Sequence, residues 1–186
     1  MSIKDIQNSH EDKMKKAVEV LRKEYGTLRA GRATPSLLDK ITVDYYGTPT
    51  PINQVANISV PEPRSIVIQP WEKNMLSPIE KAIMKSDLGL TPNSDGSVIR
   101  LNIPQLTQQR RTELVKVVHK KAEESRVAIR NLRRDANESI KKIEKDKTVS
   151  EDEAKKAQED MQKMTDKYIK EVDTVMHAKE KEIMEV

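Results

Sequence analysis

Arginine side chains recur in one part of the chain at the spacing of a single helix face. Arg126, Arg130 and Arg133 are separated by four and three residues, and Arg134 follows directly. In a helix this spacing aligns side chains along one face, and a planar guanidinium group can donate two hydrogen bonds to one phosphate. Residues 107–149 contain 13 basic and 7 acidic side chains, a surplus of six positive charges. We refer to these four residues as the arginine row, and its chemistry favours phosphate binding.

The residues alone leave a competing interpretation of the arginine row open. Residues 150–186 contain 11 acidic side chains, and a helix formed there could pair its carboxylates with the row inside the protein. Aromatic residues make up only 3% of the chain, too few for the base-stacking platforms of single-strand binding proteins. An RNA ligand would therefore be recognised through its backbone rather than its bases. Tyr25 and Tyr168 are interpreted as core residues, and Trp71 as packing inside the middle segment or lying at its tip.

Three further arginines are predicted to lie near one junction of the chain. Arg29 and Arg32 flank the sequence Ala30-Gly31, where the helical pattern of the first residues ends. Arg111 falls on the extrapolated apolar register of a later helix, where a cation is poorly placed unless the helices open near that junction. The three side chains suggest a ligand at the junction, although Arg29 could instead cap a helix end.

Residues that could perform catalysis are not assembled in this sequence. The three histidines fall on different predicted helices, no nucleophile pattern accompanies them, and the five glycines do not form a phosphate-binding loop. The chain has no cysteine, which excludes disulfides and thiolate-bound zinc. The sequence predicts a binding protein that is not an enzyme and uses no cofactor or metal.

The distribution of proline and glycine divides the chain into three parts. All nine prolines lie between Pro35 and Pro104, and all five glycines between Gly26 and Gly96. Because both residues disfavour helix interiors, the two ends are predicted to be helical and the middle rich in turns. Apolar seams at helical spacing predict helices through residues 14–28, over about 107–147 and from Ser150, where Glu153 completes a capping box. The third seam is predicted to contain Ala154, Ala157, Met161, Met164, Tyr168, Val172 and Val175.

The middle segment carries strand signals and one short helix. Residues 41–46, 55–60, 65–71 and 97–103 are rich in β-branched side chains. Ser77 is the predicted N-cap of the helix, with Pro78 at its first position, Glu80 completing a capping box and Gly89 ending it.

These patterns predict an α+β fold of two domains. Residues 1–30 and 105–186 would form a long antiparallel three-helix bundle that binds RNA, because single apolar seams can be buried only against one another. Residues 31–104 would form an inserted small β/α/β domain. No apolar run reaches the roughly 20 residues of a membrane span, so we expect a cytoplasmic protein. We expect a monomer, because the three seams can bury one another within the chain. Hinges are predicted near 30–32 and 103–106, at Ala30, Gly31, Arg32, Ile103, Pro104 and Gln105.

Three long stretches are similar to a known family. LRAGRATPSLLDKITVDYYGTPTPINQVA, PIEKAIMKSDLGLTPNSDGSVIRLNIPQLTQQRR and RVAIRNLRRDAN closely resemble the bacterial ribosome recycling factors. Gln108 and Gln109 depart from the pattern, because such factors often carry acidic residues there. The resemblance implies a hinged, L-shaped molecule that is similar in outline to a transfer RNA.

The resemblance also implies a function in protein biosynthesis. Such factors bind the post-termination ribosome at the subunit interface and, with elongation factor G and GTP, split it to release messenger and transfer RNA. Their bundle contacts large-subunit ribosomal RNA, and the matching arginines here are Arg29, Arg32, Arg111, Arg130 and Arg133. A different class of function, a helical scaffold or chaperone-like protein-binding module, remains as an alternative and predicts exposed apolar seams.

Overall fold

The computed structural model describes residues 1–28 and 31–185. The chain divides into two compact units: Met1–Arg29 with Thr107–Val186, and Ala30–Leu106. Within the described residues these units contain four α-helices and six short strands, which confirms the prediction of an α+β fold. In chain order they are α1 (Ile3–Gly26), β1 (Thr42–Tyr45), β2 (Thr48–Pro51), β3 (Ala56–Glu62), β4 (Ser65–Pro70), α2 (Leu76–Lys85), β5 (Asn93–Ser94), β6 (Ile99–Asn102), α3 (Gln108–Lys145) and α4 (Glu151–Met184).

The first unit consists of α1, α3 and α4, which bury one apolar seam each against the other two. Most of the predicted seam positions of α1 and α3 are buried. Four of the predicted positions are only half-buried: Leu28, Ser125, Leu132 and Ile143. The seam of α1 extends further towards the amino terminus, to Ile6 and His10. The His10 ring lies 2.7 Å from the carbonyl of Ile6, so this buried imidazole has a hydrogen-bond partner within its own helix. Tyr25 and Tyr168 are buried, as predicted.

The seam of α4 differs from the predicted one at two positions. The structure buries Thr165 and Met176 where the sequence pattern predicted Met164 and Val175. The predicted seam has the shorter period of a coiled coil, about 3.5 residues, whereas a straight helix repeats every 3.6 residues. Over many turns this difference moves the buried position one residue towards the carboxyl terminus. The hydroxyl of Thr165 donates to the carbonyl of Met161 at 2.7 Å, which satisfies it inside the core.

The ends of the long helices follow their capping residues. The predicted capping box at the start of α4 is confirmed, because the Ser150 side chain accepts from the Glu153 amide and the Glu153 carboxylate accepts from the Ser150 amide. Ser2 and Asp5 form the same arrangement at α1, and the Thr107 side chain caps α3. Each cap satisfies amides that have no partner within the helix.

The second unit contains α2 and two antiparallel sheets. β1 and β2 form a hairpin, while the larger sheet has the strand order β3-β4-β6-β5. Strands form in all four predicted segments, with β3 extending beyond residue 60 to Glu62, but β2 and β5 were missed. β2 contains Pro49 and Pro51, which a two-stranded sheet tolerates because both of its strands are edges. β5 is only two residues long.

The prediction for the ends of α2 is wrong. The helix begins at Leu76 without a side-chain cap, because a preceding 3₁₀ turn, Lys73–Met75, lets the Leu76 amide donate to the Lys73 carbonyl. Pro78 is then the third helical residue and adds no unsatisfied amide. The helix ends at Lys85, where the Ser86 hydroxyl donates to the Ile83 carbonyl at 2.6 Å, rather than at Gly89.

The core of the second unit lies between α2 and the sheets. It excludes Trp71, whose side chain is 68% exposed, so this residue does not pack inside the unit. Within the parts of the chain that the structure describes, no helix combines the length and apolar composition of a membrane span. The fully buried side chains of this core include Ile52, Ile66, Ile68, Ile79, Ile83, Ile99 and Leu101.

Candidate nucleic-acid interface

Helix α3 holds the arginine row at the side of its buried seam. Ile129 and Ala136 point into the bundle and are fully buried, and each residue of a helix is rotated by about 100° from the one before it. Arg130 and Arg133 therefore lie beside the core, while Arg134 lies further round towards solvent and is exposed. Since α3 is one continuous helix of 38 residues, these guanidinium groups are carried on a stiff rod.

Arg126 is the one member of the arginine row that is engaged by a carboxylate of the neighbouring helix. Its Nε and Nη2 atoms donate to Asp173 Oδ1 of α4 at 2.9 and 2.6 Å, and its Nη1 donates to Glu123 at 3.0 Å. The side chain is only 17% exposed. Burial lowers the pKa of Arg126, but its hydrogen bonds with Asp173 and Glu123 outweigh burial and leave that pKa raised. For Arg126, the geometry matches the competing interpretation of internal pairing.

Arg130 and Arg133 have weaker attachments. Arg130 Nη1 lies 3.3 Å from Glu123 of its own helix, and the side chain is exposed to water on its other side. Arg133 donates at 2.8 Å to the side-chain oxygen of Gln162 on α4, a neutral acceptor that leaves the positive charge uncompensated. Gln162 in turn donates to Asp166 at 2.9 Å. Arg133 is thus oriented by α4 without being neutralised by it.

The exposed face of α3 continues the positive charge beyond the row. Arg134 has no ion-pair partner among the described residues. Four exposed lysines lie on the same face of α3, and they also form no ion pair with the described residues. Between Lys116 and Lys145 the helix rises by about 44 Å, at 1.5 Å per residue. The spacing of the row predicts Lys141 as its continuation but not the other three. Lys116 was predictable, because a separation of 18 residues, five full turns, places it in register with Arg134. The lysines are Lys116, Lys120, Lys141 and Lys145.

Arg111 lies on the buried side of α3, as its register predicted. The side chain is 9% exposed, and its Nε atom is buried without a hydrogen-bond partner. A buried guanidinium group is costly unless it is paired, yet in residues 1–28 and 31–185 no carboxylate forms an ion pair with Arg111. The cost of burying the Arg111 guanidinium group is therefore not offset by any carboxylate among the described residues.

The junction residues are only partly described. Arg29 and Ala30 lie outside the described residues, and Arg32 is exposed. Within the second unit, the Ala33 amide donates to the Pro63 carbonyl at 2.7 Å and the Ile103 amide to the Arg64 carbonyl at 2.8 Å. Pro63 and Arg64 are adjacent residues of the turn between β3 and β4. This one turn therefore binds the chain both where it enters the second unit and where it leaves it.

Comparison with known proteins adds an independent observation. A family model described as ribosome recycling factor matches residues 21–184. The chain belongs to the ribosome recycling factor family. This confirms the resemblance of its motifs, and it assigns the chain to translation factors that are not enzymes. In the described residues, no group of three or more His, Cys, Asp or Glu side chains is placed to hold a metal ion.

Similar sequences and structures cover the chain from end to end. The chain is 65% identical over 184 residues to the ribosome-recycling factor of Desulforamulus reducens, covering 99% of this chain and 100% of that protein. The Heliobacterium modesticaldum factor is 67% identical over the same length and coverage. A solution structure of a ribosome recycling factor is 49% identical, with a TM-score of 0.75 over 100% of this chain and 99% of the other.

A second solved structure places a related protein on the ribosome. It presents models for the T. thermophilus ribosome recycling factor and the E. coli elongation factor G bound to the E. coli post-termination complex. The factor in it is 45% identical to this chain, with a TM-score of 0.63 and complete coverage of both chains. That assembly therefore describes a protein of the same family and comparable length.

Proposed function

We propose that this protein binds the post-termination ribosome at the subunit interface in the cytoplasm. With elongation factor G and GTP, it splits the ribosome into subunits, so that messenger and transfer RNA are released for a new round of synthesis. Membership of the ribosome recycling factor family supports this assignment. The related factor bound with elongation factor G to a post-termination complex supports the choice of partners.

The observation that carries the proposal is the surplus of unpaired positive charge along α3. Arg133 and Arg134 carry charges that no carboxylate in the described chain neutralises, and the exposed lysines extend the same face. The RNA backbone is the partner for such a surface, because each phosphate that is neutralised releases a condensed counterion. The residues that bind large-subunit ribosomal RNA are Arg29, Arg32, Arg111, Arg130, Arg133 and Arg134, whereas Arg126 stabilises the bundle.

The proposed movement of the second unit uses the two crossings of the chain. Ile103 is hydrogen-bonded within that unit, so we remove it from the predicted hinge. The proposed hinge positions are then Ala30, Gly31 and Arg32 on one side and Pro104 and Gln105 on the other. The partner GTPase supplies the work, and displacement of contacts at the interface separates the subunits. No step forms or breaks a covalent bond in this chain.

The test is co-sedimentation with vacant ribosomes and isolated subunits over a salt series. We expect Arg133→Ala to weaken binding and to lower the slope of log affinity against log salt by up to about 0.9 for one lost phosphate contact. Its free energy of unfolding should change by less than about 0.5 kcal/mol. Arg126→Ala should instead destabilise the bundle by about 1 kcal/mol, because it removes a mostly buried side chain together with its ion pair to Asp173.

A matched control is Lys181→Ala, which removes an equally positive but 79% exposed side chain from α4. It should change neither the binding nor the salt slope. Equal binding by wild type and Arg133→Ala would remove Arg133 from the interface, and salt-independent binding would exclude a phosphate-based anchor altogether. The scaffold alternative has no structural support, because the seams that it requires to be exposed are buried in the bundle.

A further inference from the structure

The last turn of α1 is attached to both of the other helices in its unit. The Tyr25 hydroxyl donates to the Val118 carbonyl of α3 at 2.6 Å. The Lys179 Nζ atom of α4 donates to the Leu28 carbonyl at 3.1 Å. Both side chains are buried. Leu28 is the last described residue before the chain crosses to the second unit, so these bonds act at the point of exit.

Lys179 occupies a position where the sequence pattern expects an apolar residue. It lies in the buried seam of α4 between Met176 and Ile183, and only 9% of its surface is exposed. Burial of an ammonium group is costly unless its donors are satisfied. Here the acceptors are the Leu28 carbonyl and a Glu182 carboxylate oxygen at 3.4 Å.

The sequence at the end of α1 favours the helical conformation only weakly, so contacts with another helix stabilise it there. Gly26 is the last helical residue, and glycine is about 1 kcal/mol less favourable than alanine in a helix. The following amides, those of Thr27 and Leu28, donate to Glu24 and Tyr25 at 3.2 and 3.1 Å in single-turn bonds. The Leu28 carbonyl lies one residue beyond the C-cap Thr27, and the buried Lys179 ammonium group is its donor.

We propose that Lys179 is a positioning residue for ribosome splitting, a role that rests on the function proposed above. By holding the Leu28 carbonyl it fixes the point from which the chain leaves the bundle. A movement of the second unit is then transmitted to the RNA-bound helices. Without this bond the movement would be absorbed by unwinding the last turn of α1. Tyr25 is the second attachment of the same turn.

The experiment combines amide hydrogen exchange with ribosome binding and splitting, using the full chain. In Lys179→Met, which keeps the apolar stem and removes the ammonium group, we expect exchange at Thr27 and Leu28 to rise about tenfold, corresponding to a local opening. Exchange at Val18 and Leu21, in the middle of α1, should not change. Splitting should slow by about fivefold while the salt dependence of binding stays that of wild type.

Two further variants separate positioning from general stability. Lys179→Arg retains a cation that can reach the Leu28 carbonyl and should restore most of the splitting rate. Lys181→Met removes an exposed lysine two residues away and should behave as wild type in every assay. If Lys179→Met does not fold, Tyr25→Phe keeps the buried ring, removes only the hydroxyl bond to Val118, and should give a smaller effect of the same kind.

The outcomes distinguish the two proposals. A uniform rise in exchange along α1, or a wild-type splitting rate in a folded Lys179→Met, would overturn the positioning role. A wild-type chain that binds ribosomes but never splits them would overturn the proposed function and the role of Lys179 in splitting. Localised exchange in Lys179→Met would in that case still show that the lysine holds the end of α1.

Discussion

The contacts of single side chains decide which positive charges of α3 are available to a ligand. Arg126 and Arg133 are seven residues apart and have the same helical register, so the sequence treats them alike. α4 presents Asp173 to the first and the neutral Gln162 to the second. One carboxylate on the facing helix therefore separates a structural arginine from an arginine proposed to bind RNA.

Hydrogen bonds from residues of its own loop lower the pKa of Asp95 in the second unit. The amides of Val98 and Ser97 and the Ser97 hydroxyl all donate to its Oδ1 at 3.0 Å, and these bonds, that of Val98 first, lower the pKa of Asp95 to about 2. Because the folded pKa lies below the unfolded value, its stabilisation is complete above about pH 4. It is lost as the pH falls towards 2.

Asp95→Asn should therefore unfold at lower urea concentration than wild type at pH 6. This difference should shrink steadily between about pH 4 and pH 2, where the wild-type carboxylate becomes protonated. Asp87→Asn is the control, because Asp87 is exposed and its carboxylate forms no hydrogen bond or ion pair with the described residues. A stability difference for Asp95→Asn that is the same at pH 6 and pH 2.5 would contradict the assigned role of its charge.

At the scale of elements, the start of a helix was predictable where a side chain caps it. It was not predictable where a backbone hydrogen bond from a preceding turn satisfies the first amide. Ser150 and Glu153 start α4 as expected, because the capping box is a local arrangement of four residues. The start of α2 depends instead on a 3₁₀ turn that precedes it. Such a turn has no sequence signature as strong as Ser77 followed by Pro78, so the prediction followed the stronger signal.

The capping box of α4 permits a direct stability prediction. Ser150→Ala should lower the free energy of unfolding by about 0.5–2 kcal/mol, because the Glu153 amide at the start of the helix loses its acceptor. Ser150→Asp should retain wild-type stability, since Asp caps helices as well as Ser. Urea unfolding monitored by helical circular dichroism measures both, and equal losses in the two variants would show that the cap does not act through its side-chain acceptor.

For the whole molecule, the proposed function depends on the chain crossing between its units at Gly31. This residue has a φ of +74°, and an added Cβ atom would lie 3.1 Å from the Leu106 side chain. Proline fixes φ near −65°, so Gly31→Pro must redirect the backbone at the proposed hinge. We expect splitting by Gly31→Pro to fall at least about tenfold while ribosome affinity changes by less than about threefold.

A glycine with similar geometry away from the crossing serves as the comparison. Gly89 also has positive φ, +67°, and no atom within 4 Å of an added Cβ. Gly89→Pro strains the second unit in the same way without altering the crossing, and it should leave splitting closer to wild type than Gly31→Pro does. Unchanged splitting in Gly31→Pro would show that backbone freedom at this position is unnecessary.

The sequence by itself determined the parts of this protein that depend on local spacing. Proline and glycine placement, apolar periodicity and capping residues predicted the three long helices, the β-rich middle segment and the start of α4, and the motifs predicted the family. Only the tertiary structure decided which arginines are neutralised, where the seam of α4 shifts, and that Lys179 meets the Leu28 carbonyl. These outcomes depend on which groups of another helix face each residue, and no periodicity within a single helix contains that information.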